Sequence, residues 1–212
     1  AIGNYDWENQ LDGHIWTYSL DAIWAGLQGC YADLIAQVKA EYDTDVETIG
    51  AIGFSGMMHG YMAFNEKDEL LVPFRTWRNT MTEEAAAKLT QEFQVNVPER
   101  YSISHLYQAV LRKEPHVKDI VFFTTLAGYI HWQLTGEKVL GVGDASGMFP
   151  IDCSTKDYDK EKLAKFDNLV EEYHFPWTLK DILPKSLTAG EKAGVLTEAG
   201  AKMLDPTGTL EA

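Results

Sequence analysis

The chain has 212 residues, 45% of them hydrophobic and 24% charged, with 32 acidic side chains against 18 basic ones and a net charge of −14. That composition is globular and excludes intrinsic disorder, a collagen repeat and a coiled coil. The acidic balance argues against nucleic acid or an anionic membrane as partner, because both need a basic footprint, but a local patch or a few backbone N–H groups can still hold a phosphorylated small molecule. No apolar run approaches the ~20 residues of a transmembrane helix.

Residues 1–18 carry Tyr5, Trp7, Trp16 and Tyr18 around the turn dipeptide Asp12-Gly13. Ser19 then starts the clearest helix. Leu20, Ile23, Trp24, Leu27, Tyr31, Leu34, Ile35 and Val38 recur at three- and four-residue steps, and Asp21 suits the positive helix start. Residues 48–55 form a short apolar run interrupted by glycine, which reads as a buried strand leading into the loop 56–60. Runs 61–64 and 70–72 flank a charged turn and read as a hairpin. Thr80 with Glu83 predicts a capping box for a helix to residue 93. Further helices are expected over 103–113 and 125–135, the latter closed by Gly136. Strands are expected at 120–123, 139–142 and 148–151. Beyond Asp152 the chain turns charged and helical over 160–166 and 169–173, with a short last helix at 197–204. Interleaved strands and helices make the class α/β.

Cys30 and Cys153 share no metal spacing and form no disulfide framework; both read as small buried hydrophobes of a protein in a reducing cytosol, so the expected location is cytoplasmic. The first residues show neither an initiator Met nor a signal pattern, and the last resemble a cut before another element. Both ends therefore read as internal positions of a longer protein.

Three segments carry candidate chemistry. In loop 56–60, His59 sits between glycines at the expected carboxyl end of a strand, where α/β proteins bind ligands; the other reading is a satisfied core histidine on a tight turn. In segment 73–80, Trp77 beside Arg75, Arg78 and Asn79 mixes a stacking face with polar hands, as sugar recognition requires. The plainer reading makes Trp77 core and both arginines solvated. In segment 143–147, Asp144 between glycines could serve a hydroxyl, a metal or a turn, and the turn reading leads. His105 and His131 read as structural. No phosphate-binding P-loop, nucleophile elbow or histidine–zinc spacing is present, so no metal ligands are assigned.

These segments, in this order, resemble the FGGY carbohydrate kinases, and among them the xylulokinase-like ketose kinases. The resemblance rests on residues 49–60, Trp77-Arg78-Asn79, Leu134-Thr135-Gly136 and Gly143-Asp144-Ala145-Ser146-Gly147, and covers most of residues 15–170. It implies a ribonuclease-H-like domain of the actin/hexokinase ATPase type, incomplete, with a mixed sheet and flanking helices. The chain, 1–212, would be part of the N-terminal sugar-binding domain of a two-domain kinase. The substrate would be a ketose, a pentulose such as xylulose or a related sugar. The resemblance implies that Met58, His59 and Gly60 contact it, with Trp77, Arg78, Asn79 and Asp144 nearby.

It also implies ATP and Mg²⁺ as cofactors of the full-length parent. The family's opening D-x-G-T hairpin has no match in residues 1–50, and its general-base aspartate would lie beyond residue 212. The chain alone is therefore expected to be inactive. Two departures bear on the sugar: the family's Trp-Asn-Asp reads Trp77-Arg78-Asn79 here, and its Lys-Leu-Leu-Trp reads His105-Leu106-Tyr107-Gln108. The alternative is a non-catalytic sugar-binding or regulatory module of the same fold. A missing hairpin would leave the strand at 48–55 with a bare edge. Residues 1–11, through Ile2, Tyr5 and Trp7, are the first candidate to fill it, ahead of a second copy in a homodimer or neighbouring chain in a longer protein.

Overall fold

The computed structural model describes residues 1–4 and 10–212. A short hairpin of β1 (Gln10–Asp12) and β2 (Ile15–Thr17) turns on Gly13. Helix α1 (Leu20–Tyr42) follows, and the Ser19 hydroxyl accepts the Ala22 N–H at 3.1 Å as its N-cap. Strand β3 (Met62–Phe64) leads through a turn held by the Asn65 side chain to Leu70, so the expected hairpin forms, with Leu71 N–H donating back to the Ala63 carbonyl.

Helices α2 (Glu83–Phe93) and α3 (Ser102–Leu111) come next, then β4 (Phe122–Thr124) and α4 (Leu126–Thr135). Thr125 caps the start of α4, and Gly136 ends it at φ 77°. The rest comprises β5 (Val139–Gly141), the single turn α5 (Val142–Ala145), β6 (Ile151–Asp152), β7 (Asp157–Tyr158), α6 (Lys160–Val170), α7 (Leu179–Ile182), β8 (Lys185–Leu187) and α8 (Glu198–Leu204).

The described strands pair two by two, antiparallel except for β5 with β8. The central pair is β3–β4, and alternation along it divides the core. Ala63 and Phe123 are cross-strand partners, and they face a cluster built from α2, α3 and α6. Phe64 and Phe122, the next partners, face a second cluster with α4, α8 and Ile23 of α1. The arrangement is a sheet between helical layers, the standard way to bury both faces of an α/β core.

Four expectations are corrected. Residues 48–55 form no strand; they run irregularly and stay largely exposed, with Ile52 at 41%. Among the described residues no backbone ladder pairs with 49–54. Residues 1–4 do not fill that edge, because Ile2 is held by the Gln37 side chain of α1. Tyr5 and Trp7 lie outside the described residues. The N-cap of α2 is Thr82 rather than Thr80, and its hydroxyl donates to the Glu99 carbonyl at 2.7 Å instead of capping the helix. Cys30 is half-buried and Cys153 exposed, both as free thiols.

Candidate functional site

The loop 56–60 closes into β3 through Gly60. Its φ of 118° is one that side chains avoid, and a Cβ there would lie 2.9 Å from both the Arg75 carbonyl and the Phe74 ring. The next residue, Tyr61, exchanges backbone hydrogen bonds with Arg75 at 2.9 and 3.1 Å. The loop containing His59 and the segment leading to Trp77 are thereby tied together.

Gly147 is where the separate motifs meet. The His59 Nδ1–H donates to the Gly147 carbonyl at 3.2 Å, and the Ser102 N–H at the start of α3 approaches the same oxygen at 3.4 Å. A Cβ at Gly147 would press on the Met58 carbonyl and come within 2.8 Å of His59 Nδ1. Only glycine admits this contact, which explains that residue's place after Asp144-Ala145-Ser146. The His59 ring stacks on Tyr101 at 5.1 Å.

Burial pushes the His59 pKa below the ordinary histidine value, and the nearby Arg100 acts in the same direction against two backbone hydrogen bonds. The ring is thus neutral near pH 7, with its proton on Nδ1. Nε2 keeps an acceptor lone pair that no described residue uses.

Asp144 sits on the single turn α5, as the turn reading expected, and the Ser146 hydroxyl closes that turn on the Gly143 carbonyl. The Asp144 carboxyl makes no hydrogen bond among the described residues, and burial raises its pKa. It lines a cavity of about 360 Å³ together with Phe54 and His131. Trp77 lines a second cavity of about 660 Å³ that shares Gly53, Phe54 and Ala127 with the first. Segment 53–54 is therefore the wall between them.

Trp77 is 52% exposed, against the reading that placed it in the core. Asn79 is buried; its Oδ1 accepts the Trp16 N–H, and its amide donates to the Trp16 and Thr76 carbonyls. Both amide hydrogens are thus engaged by backbone, so Asn79 holds the Trp77–Arg78 turn in place. Arg78 is exposed and lies over the Trp16 ring at 4.3 Å.

A buried polar cluster beneath the site escaped the sequence. Arg75 is 4% exposed and forks onto Glu114, with Nη1 at 3.2 Å from Oε1 and Nη2 on Oε2. The Tyr61 hydroxyl meets His116 Nε2 at 2.8 Å, and Arg75 lies 5.4 Å from the centre of the Tyr61 ring. His105 stacks on that ring at 6.4 Å with neither ring nitrogen hydrogen-bonded; burial, helped by Arg75, lowers its pKa to about 3. Arg75 and Glu114 lie 39 residues apart, and nothing local in either segment signals the pair.

Among the described residues no group of three or more His, Cys, Asp or Glu could hold a metal ion, and no helix is long and apolar enough to cross a membrane.

The N-terminal domain model of the FGGY family of carbohydrate kinases matches residues 9–208. The xylulose kinase of Staphylococcus xylosus is 22% identical over 156 residues, 69% of this chain and 30% of that protein. A Brucella ovis structure described as a xyloylose kinase superposes with a TM-score of 0.76 at 20% identity, covering 99% of this chain and 41% of that one. A gluconate kinase from Lactobacillus acidophilus gives 0.72 at 20% identity, covering 92% and 38%. The chain thus spans less than half the length of these relatives, with the actin/hexokinase-type fold that the sequence implied. It belongs to the FGGY family of carbohydrate kinases, matching their N-terminal domain.

Proposed function

We propose that residues 1–212 are the sugar-side part of an ATP-dependent kinase that phosphorylates a ketose, a pentulose such as xylulose or a related sugar. The observation that carries this reading is the convergence on Gly147. It sets the His59 loop against the Asp144 turn and leaves Nε2 and a carboxyl without hydrogen-bond partners among the described residues. A neutral Nε2 accepts a hydrogen bond from a hydroxyl, the Asp144 carboxyl can engage a second hydroxyl, and the open Trp77 face suits the C–H face of a sugar. Met58 and Gly60 shape the loop, while Asn79 holds Trp77 and Arg78. The relatives named xylulose kinase support the ketose.

Phosphoryl transfer depends on positioning and charge neutralisation. Such a transfer also needs ATP, Mg²⁺ and a general base, which we assign to the full-length parent. The two free thiols suit a reducing compartment, and we place the parent in the cytoplasm.

The test is a kinase assay of the full-length parent with ATP and Mg²⁺ over a panel of ketoses, aldoses and aldonic acids. Transfer to a ketose, with KM raised by His59→Ala, is the expected result. Transfer to aldonic acids alone would overturn the ketose, and sugar binding without transfer would identify a non-catalytic module. The isolated chain is expected to bind sugar weakly and to turn over no ATP.

A further inference from the structure

We propose that a basic cavity at the opposite end of α3 from His59 binds an oxyanion, a phosphate or a carboxylate. His59 stacks on Tyr101 before the first turn of α3, and Arg112 caps its last turn. Ten helical residues separate the two ends by about 15 Å. The cavity has a volume of about 340 Å³ and is lined by His14, Trp16, Arg78, Arg112 and the 79–81 turn. It lies at the far end of α3 from His59 and adjoins the Trp77 side of the proposed sugar site through Arg78 and Asn79.

The charge pattern is the first observation. Acidic residues outnumber basic ones by 32 to 18, yet among the described residues no acidic side chain lines this cavity. The chain has four arginines, and among the described residues Arg75 alone has a carboxylate partner. Two of the other three, Arg78 and Arg112, share this cavity. Arg112 acts on the Glu84 carboxylate, which is itself committed to Lys88 at 2.8 Å.

Preorganisation is the second. The Arg78 guanidinium lies over the Trp16 ring, its central carbon 4.3 Å from the ring centre, and this cation–π contact restrains it. Trp16 is itself fixed, because its backbone N–H and carbonyl are both held by Asn79. Arg112 is anchored by the Met81 carbonyl at 3.3 Å and the Met81 sulfur at 3.7 Å, one contact on each terminal nitrogen. The remaining N–H groups of its guanidinium have no acceptor among the described residues. The carbonyls of Gln108, Ala109 and Val110 at this helix end are already satisfied by the N–H groups of Arg112, Glu114 and Lys113. Two guanidinium forks around one small cavity match the paired oxygens of phosphate or carboxylate.

Titration calorimetry of the 212-residue chain at constant ionic strength tests this, with inorganic phosphate and malonate as separate probes. Saturable binding of either supports the cavity. Binding of phosphate alone assigns a phosphate ligand, and binding of malonate alone assigns a carboxylate. The double variant Arg78→Gln/Arg112→Gln should weaken binding by about tenfold or more, as the loss of charged hydrogen bonds requires. The exposed Arg112→Gln alone provides a variant that keeps the Trp16 stack, and Lys202→Gln, with the same charge change elsewhere, should stay within about twofold of the parent. No saturable heat with either anion, or equal binding by Arg112→Gln, Lys202→Gln and the unaltered chain, would overturn the proposal.

Discussion

Residues 48–55 and the β3–β4 pair are similar as sequence. Both are short and apolar; residues 48–55 lead into the loop 56–60, and β3 follows it. Their structures differ completely. Met62, Ala63 and Phe64 are buried and paired with β4 on one side, with the bridge to Leu70 on the other. Residues 48–55 have Ile52 in solvent and no ladder among the described residues. Apolar character and strand propensity describe a fit to a half-buried pleated surface, and they produce a strand only where a neighbouring backbone meets it. We therefore propose that, in a longer parent, 49–54 becomes a strand when neighbouring chain pairs with it.

The largest effect expected on the ordered side of this comparison comes from pH. His105 is fully buried beside Tyr61, with a pKa of about 3 in the fold against an ordinary 6.5. Between those values the unfolded chain takes up a proton that the folded one refuses. Stability is therefore full above pH 6.5 and falls as pH drops towards 3, by up to about 5 kcal/mol for this residue. Urea unfolding at pH 7, 5 and 4 measures the slope. His105→Phe keeps the stack on Tyr61 and should flatten the slope relative to the unaltered chain; equal slopes would show that His105 does not hold its proton off.

The next effect sets the two regions directly against each other. Phe123→Ala empties a fully buried site between β3 and α3 and should destabilise by about 3–5 kcal/mol. Ile52→Ala should fall within about 0.5 kcal/mol of the unaltered chain. Denaturant midpoints decide, and a large loss from Ile52→Ala would show that 48–55 is packed in solution.

What was legible in the sequence was local. Ser19, Thr125 and Thr197 cap helices through bonds to residues three positions on, and Gly136 ends one through its own backbone freedom. What was illegible depends on partners distant in sequence. Thr82 gives its hydroxyl to Glu99, 17 residues away, and the Asn79 amide goes to Trp16, 63 residues away. The segments of the candidate site were readable in order, but no residue pattern signalled that Gly147 is their meeting point or that Arg75 is buried on Glu114. Both depend on tertiary contacts that no spacing encodes.

Gly147→Ala is expected to act next in size. Its Cβ would meet the Met58 carbonyl and His59 Nδ1, so the loop must move. Overpacking of this kind costs about 1–3 kcal/mol. Sugar affinity should fall more than stability does, since the displacement falls on the loop that carries His59. Calorimetric sugar titration beside thermal unfolding separates the two, and unchanged affinity would remove Gly147 from the site.

The smallest expected effect is the sharpest test of the unpaired half of the comparison. A Cβ at Gly53 would meet nothing within 4 Å, and its φ lies outside the left-handed range that excludes side chains. Gly53→Val therefore inserts a strand-favouring side chain into open space. In this chain it should shift stability by no more than about 0.5 kcal/mol. In a parent where 49–54 pairs as a strand, the same change acts on a packed ladder and takes on the larger values of an interior position, of either sign according to the room left beside it. Amide hydrogen exchange reads the same difference without any substitution. The amides of 49–54 should exchange far faster than those of Ala63, Phe64 and Phe123 in this chain, and become protected in the longer protein. Equal protection of the two segments in the 212-residue chain would mean that 48–55 finds a backbone partner by itself, through a second copy or through residues near its start, and would remove the contrast on which the comparison rests.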